Sequence, residues 1–208
     1  RDLHLSIRRQ RQMCIRDRDY TAPIEDILFV INNLTSTIEN KNEEYSDPEH
    51  IKQIFEESGK LASNVLAPLN STGDKEGLSL ENGEVKMPNG FVDAYDQYVK
   101  GGWASVAGSK DYGGQEMPWR VVGGLNEIWH AANMSFSLNM LLTQGAIEAI
   151  EAYGTDEQKE KYLPKMISGE WSGTMNLTES QAGSDLSLLK TKAIPHDELY
   201  KIYGNKIY

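Results

Sequence analysis

The chain has 208 residues, of which 39% are hydrophobic and 25% charged, with 18 Gly, 7 Pro and one Cys. This composition is typical of a globular protein and excludes collagen, a disulfide scaffold and a wholly disordered chain. No stretch reaches the ~18 consecutive apolar residues that span a bilayer. The net charge of −10 disfavours nucleic acid and anionic membranes as partners. The single Cys favours a reducing compartment, so we expect a cytoplasmic protein.

Residues 1–18 differ in composition from everything that follows. They carry six of the seven Arg and a net charge of +4, whereas all fourteen Lys lie after residue 18. A nucleic-acid-binding arm and a transit peptide are the functional alternatives for such an Arg-rich segment. Both are disfavoured, and two Asp, a single Ser and the lack of an amphipathic face argue specifically against a transit peptide. We therefore expect a foreign or artefactual leader and exclude it from the fold prediction.

Apolar periodicity predicts a series of helices from Thr21 onward. The first follows Pro23 and has a stripe that extends to Ile38, and the second begins at Asp47-Pro48 and ends at Pro68. A short helix follows at residues 91–99. Pro118 opens a helix whose apolar face consists of Val121, Val122, Leu125, Ile128, Trp129 and Ala132.

Two further helices are predicted before the pattern changes. One covers about residues 138–153, and the next begins at a capping box formed by Thr155 and Gln158 and continues to about Ile167. The aromatic residues on these helical faces, Phe55, Tyr95 and Trp129, are expected in the core.

Strands and loops are predicted in two regions. Residues 69–90 indicate a loop with a small hairpin around Asn82-Gly83. After Trp171 the pattern predicts a strand at residues 174–178, a loop at 181–185, and strands within 201–208 around Gly204-Asn205. The sequence thus predicts a mainly α fold: an all-α helical N-terminal domain followed by a β domain that begins near residue 170 and is incomplete.

Several kinds of chemistry lack support. The chain contains no nucleotide-binding glycine motif and no hydrolase nucleophile motif. His4, His50, His130 and His196 are scattered singly, so we predict no metal site. Four Asn-x-Ser/Thr triplets, at Asn33, Asn70, Asn133 and Asn176, are interpreted as chance matches.

The segment Leu177–Asp185 is the one candidate site. Its sequence, Leu-Thr-Glu-Ser-Gln-Ala-Gly-Ser-Asp, brings hydroxyls and small residues to a turn, which suits a polar ring or a phosphate. The alternative is an ordinary turn in which Ser184 and Asp185 bond their own backbone. Spacing alone favours that alternative.

A family resemblance favours the ligand-binding interpretation of this segment over an ordinary turn. The motifs Tyr153–Lys159, Tyr162–Lys165, Gly169-Glu170 and Thr178–Asp185 resemble the acyl-CoA dehydrogenase family in order and spacing, and the resemblance covers residues 19–208. Residues 20–27 resemble the N-terminal extension of a branch that includes the methylmercaptopropionyl-CoA dehydrogenases. The implied domains are an extension with the first helices at 19–69, a helical domain at 70–168, and the start of a β-barrel middle domain at 169–208.

The resemblance implies FAD as the cofactor and a fatty-acyl or related CoA thioester as the substrate. By position, Met175, Leu177 and Thr178 would lie against the flavin, with the Thr178 hydroxyl bonding its polar edge. Gly183 and Ser184 would approach the cofactor, and Ser184 also the substrate. The family usually has Pro where Ser180 stands and often an aromatic residue where Met175 stands, so the turn and the flavin packing are expected to differ here.

No catalytic residue is assigned. The carboxylate base of the family lies in a C-terminal domain that we expect beyond this chain, and Glu179 is interpreted instead as a carboxylate that orders the turn. The chain is therefore expected to be a fragment that is inactive alone and binds FAD weakly.

The resemblance further implies fatty acid β-oxidation, an electron-transfer flavoprotein or similar acceptor, and a homo-oligomer. The alternatives are an acyl-CoA oxidase or flavin monooxygenase of the same fold, or a non-catalytic helical interaction module.

Overall fold

The fold is known from a computed structural model that describes residues 20–34 and 45–207, and the predicted leader at residues 1–18 lies outside them. Two compact units divide the chain, one ending at Gly173 and the other beginning at Thr174. The first unit is helical and the second contains a hairpin and loops, which confirms the mainly α fold class. The domain boundaries expected at residues 18, 69 and 168 stay predictions.

The helices of the first unit follow the predicted order. They are α1 (Ile24–Asn33), α2 (Pro48–Leu61), α3 (Ala67–Glu76), α4 (Phe91–Lys100), α5 (Trp119–Ala132), α6 (Met134–Tyr153) and α7 (Asp156–Ile167). Helix α2 starts as predicted, because the Asp47 side chain accepts a hydrogen bond from the Glu49 N–H. Helix α7 starts at the predicted capping box, in which both reciprocal bonds between Thr155 and Gln158 are present.

Helix α1 is shorter than predicted. It ends at Asn33, and Leu34, the next residue of the apolar stripe, is exposed. Ile38, the last residue of that stripe, lies outside the described residues.

The prediction that Pro68 ends the second helix is wrong. A π-helical segment, Ala62–Leu66, continues α2, and α3 begins directly after it with Pro68 in its first turn. A helix tolerates proline there, because the missing N–H has no partner in the first turn and the preceding π segment already changes the hydrogen-bond pattern. Residues 69–76 are consequently helical, and the predicted loop with its hairpin is confined to residues 77–90.

The small hairpin is confirmed. Strands β1 (Ser79–Glu81) and β2 (Glu84–Lys86) pair in antiparallel fashion on either side of Asn82-Gly83. Both turn residues have positive φ, at 54° and 85°, which is the geometry that Asn-Gly favours in a two-residue hairpin turn.

The core of the first unit forms around α5. Every residue of its predicted apolar face is buried, and Trp129 packs edge-on against Tyr98 at 5.3 Å between ring centroids. Phe55 of α2 is fully buried in the same cluster. A second cluster, between α6 and α7, contains Ile147, Leu163, Met166 and Ile167.

The second unit differs from its prediction in two ways. Residues 174–178 are not a regular strand, and Glu179 makes only an isolated bridge to Ala182. A strand requires a hydrogen-bonded neighbour along its length, but within the described part of the chain this segment receives one backbone bond, from Ile207 N–H to the Thr178 carbonyl.

The hairpin of this unit lies earlier than predicted. Strands β3 (Lys192–His196) and β4 (Leu199–Tyr203) pair around Asp197-Glu198, with Asp197 at a φ of 54°. Asp tolerates this left-handed conformation, so the turn forms without glycine. Gly204 follows β4 and has a different role, because a Cβ there would collide with the Thr191 side chain.

Candidate functional site

The segment before Glu179, residues 175–178, is largely exposed, and its backbone N–H groups are not used in hydrogen bonds within the described structure. Met175 is 65% exposed and Leu177 is 37% exposed. Within residues 20–34 and 45–207, the N–H groups of residues 175–178 and the Thr178 hydroxyl have no hydrogen-bond partner. The segment therefore presents apolar side chains together with hydrogen-bond donors that have no partner among the described residues.

Glu179 is the buried centre of the polar loop that follows. Its carboxylate accepts hydrogen bonds from the backbone N–H groups of Lys190 and Thr191, at 2.9 and 3.0 Å, and from the Gln181 amide at 2.6 Å. The Lys206 ammonium lies 2.9 Å from the same carboxylate. These bonds connect the turn at residues 179–182 to the start of β3, so Glu179 orders the loop.

The charge state of Glu179 follows from these partners. The Thr191 hydroxyl, the Lys206 ammonium and the backbone N–H groups hold the pKa of the Glu179 carboxyl far below its ordinary value of 4.5. The Thr191 hydroxyl lies near the carboxylate but is poorly aligned for a hydrogen bond. The Lys206 ammonium and the backbone N–H groups do donate hydrogen bonds to it. Glu179 is therefore ionised throughout the physiological range.

The turn at Gly183–Asp185 combines open space with one local hydrogen-bonded motif. A Cβ at Gly183 would meet only the Thr178 methyl group, at 4.0 Å. Asp185 accepts hydrogen bonds from the Ser187 N–H and hydroxyl, at 3.0 and 2.6 Å, and begins a 3₁₀ turn at Leu186–Leu188. The Ser184 hydroxyl has no partner among the residues that the structure describes. The Asx turn considered as an alternative is thus present at Asp185 but does not involve Ser184.

The five residues predicted to bind the cofactor, Met175, Leu177, Thr178, Gly183 and Ser184, all belong to the second unit. The Thr178 methyl group is the nearest atom to the open side of Gly183, so the structure brings these two together. Lys206 is the residue of this loop that sequence reasoning missed. A lone Lys after Gly204-Asn205 carries no motif, and only the fold shows that it reaches Glu179.

A cavity of about 380 Å³ lies in the helical unit. Its lining includes Trp103, Trp129, Met140, Ile147, Glu148 and Glu151. The walls combine apolar and polar side chains, and the two carboxylates disfavour an anion. Sequence periodicity predicted Trp129 as core but did not predict the cavity, because its walls come from segments far apart in the chain.

Within residues 20–34 and 45–207, no three His, Cys, Asp or Glu side chains cluster as a metal would require. In the same ranges no helix combines the length and apolar character needed to cross a bilayer.

The fold and the motifs together define a class of protein. Residues 48–170 match the family model described as the acyl-CoA dehydrogenase, N-terminal domain. The chain belongs to the acyl-CoA dehydrogenase family.

Two curated relatives make the likeness more specific. The chain is 45% identical over 193 residues to 3-methylmercaptopropionyl-CoA dehydrogenase of Ruegeria pomeroyi, which covers 91% of this chain and 33% of that protein. It is 32% identical over 201 residues to a butyryl-CoA dehydrogenase of Syntrophomonas wolfei, covering 91% of this chain and 32% of the relative. The chain thus spans about a third of the length of the curated relatives it matches.

A solved structure agrees with the fold. The crystal structure of acyl-CoA dehydrogenase from Geobacillus kaustophilus superposes with a TM-score of 0.64 and 26% sequence identity, over 78% of this chain and 40% of the other.

Proposed function

We propose that this chain is part of an FAD-dependent dehydrogenase that oxidises an acyl-CoA thioester between its α and β carbons. Family membership over residues 48–170 supports the reaction class. The observation that carries the cofactor assignment is the exposed segment at residues 175–178, whose N–H groups have no partner among the described residues.

The chemistry of that segment fits FAD. The isoalloxazine ring is a broad apolar plane with hydrogen-bond acceptors along one edge. Met175 and Leu177 would lie against the plane, while the Thr178 hydroxyl and nearby N–H groups would bond the acceptors. When bound, FAD accepts the hydride that leaves the β carbon of the substrate.

Gly183 and Ser184 are proposed to contact the cofactor and the thioester-side part of the substrate. The space beside Gly183 allows close approach of a ligand, and the Ser184 hydroxyl is available to bond it. Because Ser184 is exposed and packs little, its hydroxyl can be removed without damage to the fold.

Glu179 is not proposed as the base that removes the α-proton. Its carboxylate is buried, bonded by several donors and paired with Lys206. A base needs accessible oxygens and a pKa near the working pH, and Glu179 has neither. We assign no catalytic residue in this chain.

The proposal extends to the surroundings of the reaction. It includes an electron-transfer flavoprotein or similar acceptor, a homo-oligomeric whole protein, a cytoplasmic location and a place in acyl-CoA β-oxidation. Higher identity to the relative named for a sulfur-containing acyl group supports methylmercaptopropionyl-CoA as a substrate to compare with butyryl-CoA.

The cofactor assignment is tested with Thr178→Val, which removes the hydroxyl and keeps the side-chain volume. A lost hydrogen bond costs ~0.5–1.5 kcal/mol, or ~1–3 kcal/mol when a buried partner is left unsatisfied. We expect FAD affinity to fall by about 2- to 150-fold. NMR-monitored titration of FAD into the 208-residue chain and the variant measures this, since the method tolerates weak binding.

Ser180→Ala is the matched control, because among the described residues the Ser180 hydroxyl bonds only the neighbouring Gln181 side chain. FAD affinity should be unchanged in this variant. Ser184→Ala should mainly weaken binding of butyryl-CoA or methylmercaptopropionyl-CoA. Equal FAD affinity of Thr178→Val and the unmodified chain would contradict the assignment of this segment.

A further inference from the structure

Three consecutive carbonyl groups of the proposed flavin-contacting segment are occupied by other parts of the second unit. Lys206 Nζ donates to the Leu177 carbonyl at 2.9 Å, and Ile207 N–H donates to the Thr178 carbonyl at 3.0 Å. The Glu179 carbonyl accepts from the Ala182 N–H at 3.0 Å. Each carbonyl of residues 177–179 therefore already accepts a hydrogen bond from within the second unit.

Several hydrogen-bond donors of the same segment, in contrast, are not bonded by other described residues. Among the residues described, the N–H groups of Leu177 and Thr178 and the Thr178 hydroxyl have no partner. The carbonyls of this segment are bonded within the protein, whereas several of its N–H and hydroxyl donors are free within the described structure. Such a segment favours a ligand edge made of hydrogen-bond acceptors.

Lys206 connects this arrangement to Glu179. Its ammonium donates to the Leu177 carbonyl and to Glu179 Oε1, both at 2.9 Å. The Glu179 side chain is 4% exposed and that of Lys206 is 24% exposed. Such a buried carboxylate needs a paired charge and hydrogen bonds. Without Lys206 the carboxylate would keep its N–H donors but lose its only counter-charge among the described residues.

We propose that Lys206 and Glu179 are positioning residues. Their ion pair, called the latch, fixes residues 177–179 so that the N–H groups of Leu177 and Thr178 and the Thr178 hydroxyl remain for the ligand. Neither side chain needs to touch the ligand. The identity of the ligand as the acceptor edge of a flavin rests on the proposed function, whereas the latch itself rests on the hydrogen bonds of the loop.

The latch is tested first without any ligand. Amide hydrogen exchange of Lys190 and Thr191, followed by NMR on the 208-residue chain, reports the bonds that converge on Glu179. In Lys206→Met and in Glu179→Gln we expect their exchange to accelerate by about tenfold or more, as the loss of charge-assisted hydrogen bonds predicts. Unchanged protection in Lys206→Met would overturn the latch.

Two variants separate the latch from general damage. Lys201→Met removes an exposed lysine of β4 that has no ion pair in the described structure, and it should leave the loop unchanged. Lys206→Arg keeps the charge and should restore most of the protection. If Lys206→Met unfolds the β3–β4 hairpin, the other two variants test the latch. Loss of loop protection in Glu179→Gln together with retained protection in Lys206→Arg would support the latch. Any other result would overturn it.

The second arm adds FAD and follows the Leu177 and Thr178 amide signals. FAD should shift both signals in the unmodified chain, and Lys206→Met should weaken its binding by roughly tenfold, whereas Lys201→Met should not. Equal FAD affinity in Lys206→Met, despite lost loop protection, would overturn the positioning role. If FAD shifts neither signal in the unmodified chain, the proposed flavin contact fails while the exchange results still decide the latch.

Discussion

At the scale of single residues, Glu179 is a charged side chain that the fold keeps buried. Its burial is compensated by backbone N–H groups and by Lys206, which lie 11 to 27 residues away along the chain. The sequence predicted that this carboxylate orders the turn, and the bonds to Lys190 and Thr191 confirm it. The lysine partner was not predicted, because nothing local marks Lys206.

The depressed pKa of Glu179 makes the stability of this loop depend on pH. A carboxyl whose folded pKa lies below its ordinary value of 4.5 stabilises the loop above that pH, and the contribution is lost as the pH falls toward the folded pKa. We expect protection of the Lys190 and Thr191 amides, corrected for intrinsic exchange, to decrease as the pH is lowered below 4.5. NMR hydrogen exchange across an acid titration measures this.

Asp185 is the other carboxyl of the loop that must be controlled. The Ser187 hydroxyl and N–H lower its pKa in the same direction. Asp185→Asn should therefore leave the pH profile of the Lys190 and Thr191 amides in place, whereas Glu179→Gln should flatten it. A profile that persists in Glu179→Gln would show that another group is responsible.

At the scale of elements, the helices differ in whether the residue that caps them bonds only nearby residues or also a distant one. Asp47 and Thr155 cap α2 and α7 with bonds to residues two and three positions on, and both were predicted. Asn133, at the junction of α5 and α6, was noted only as part of an Asn-x-Ser triplet. It is fully buried, caps α6 through a bond from the Phe136 N–H, and donates at 3.0 Å to the Leu66 carbonyl of the π segment.

This difference predicts unequal costs for two alanine substitutions. Thr155→Ala removes an exposed cap and should cost about 1 kcal/mol of unfolding free energy. Asn133→Ala also leaves the buried Leu66 carbonyl without its partner, so it should cost about 2–4 kcal/mol. Urea unfolding monitored by circular dichroism compares the two. A cost for Asn133→Ala no greater than that for Thr155→Ala would contradict the tertiary role of Asn133.

At the scale of the whole molecule, the helical unit depends on close approach of α5 to α1 and α2. A Cβ at Gly124 would lie 2.8 Å from Phe55 Cζ and 2.9 Å from Ile27 Cγ2, nearer than side-chain carbons normally approach. Gly123, the preceding residue of α5, is exposed and has open space around its Cα. The two glycines are neighbours in the same helix, but a Cβ would have open space at Gly123 and none at Gly124.

Alanine at these two positions should therefore change stability in opposite directions. Gly123→Ala should stabilise the protein by about 0.4–1 kcal/mol, because alanine lowers the entropy of the unfolded chain and favours the helix. Gly124→Ala gains the same term but must displace Phe55, and overpacking of a core costs ~1–3 kcal/mol. Thermal and urea unfolding of both variants measures the sign, and a stabilising Gly124→Ala would disprove the close packing.

The sequence by itself determined the features that depend on neighbouring residues. The Asn82-Gly83 hairpin, the Thr155 capping box and the buried face of α5 each follow from hydrogen bonds or periodicity within a few positions, and all three are confirmed. The ordered motifs from Tyr153 to Asp185 likewise identified the family that the comparison over residues 48–170 shows.

The tertiary structure decided what depends on partners far along the chain. The helix continues beyond Pro68 through a π segment whose Leu66 carbonyl is bonded by Asn133, and residues 174–178 remain irregular because they lack a paired strand among the described residues. The latch likewise joins Glu179 to Lys206 across 27 positions. Hydrogen bonds and charge pairs of this range leave no periodic signal in a single sequence, because their geometry exists only after the chain has folded.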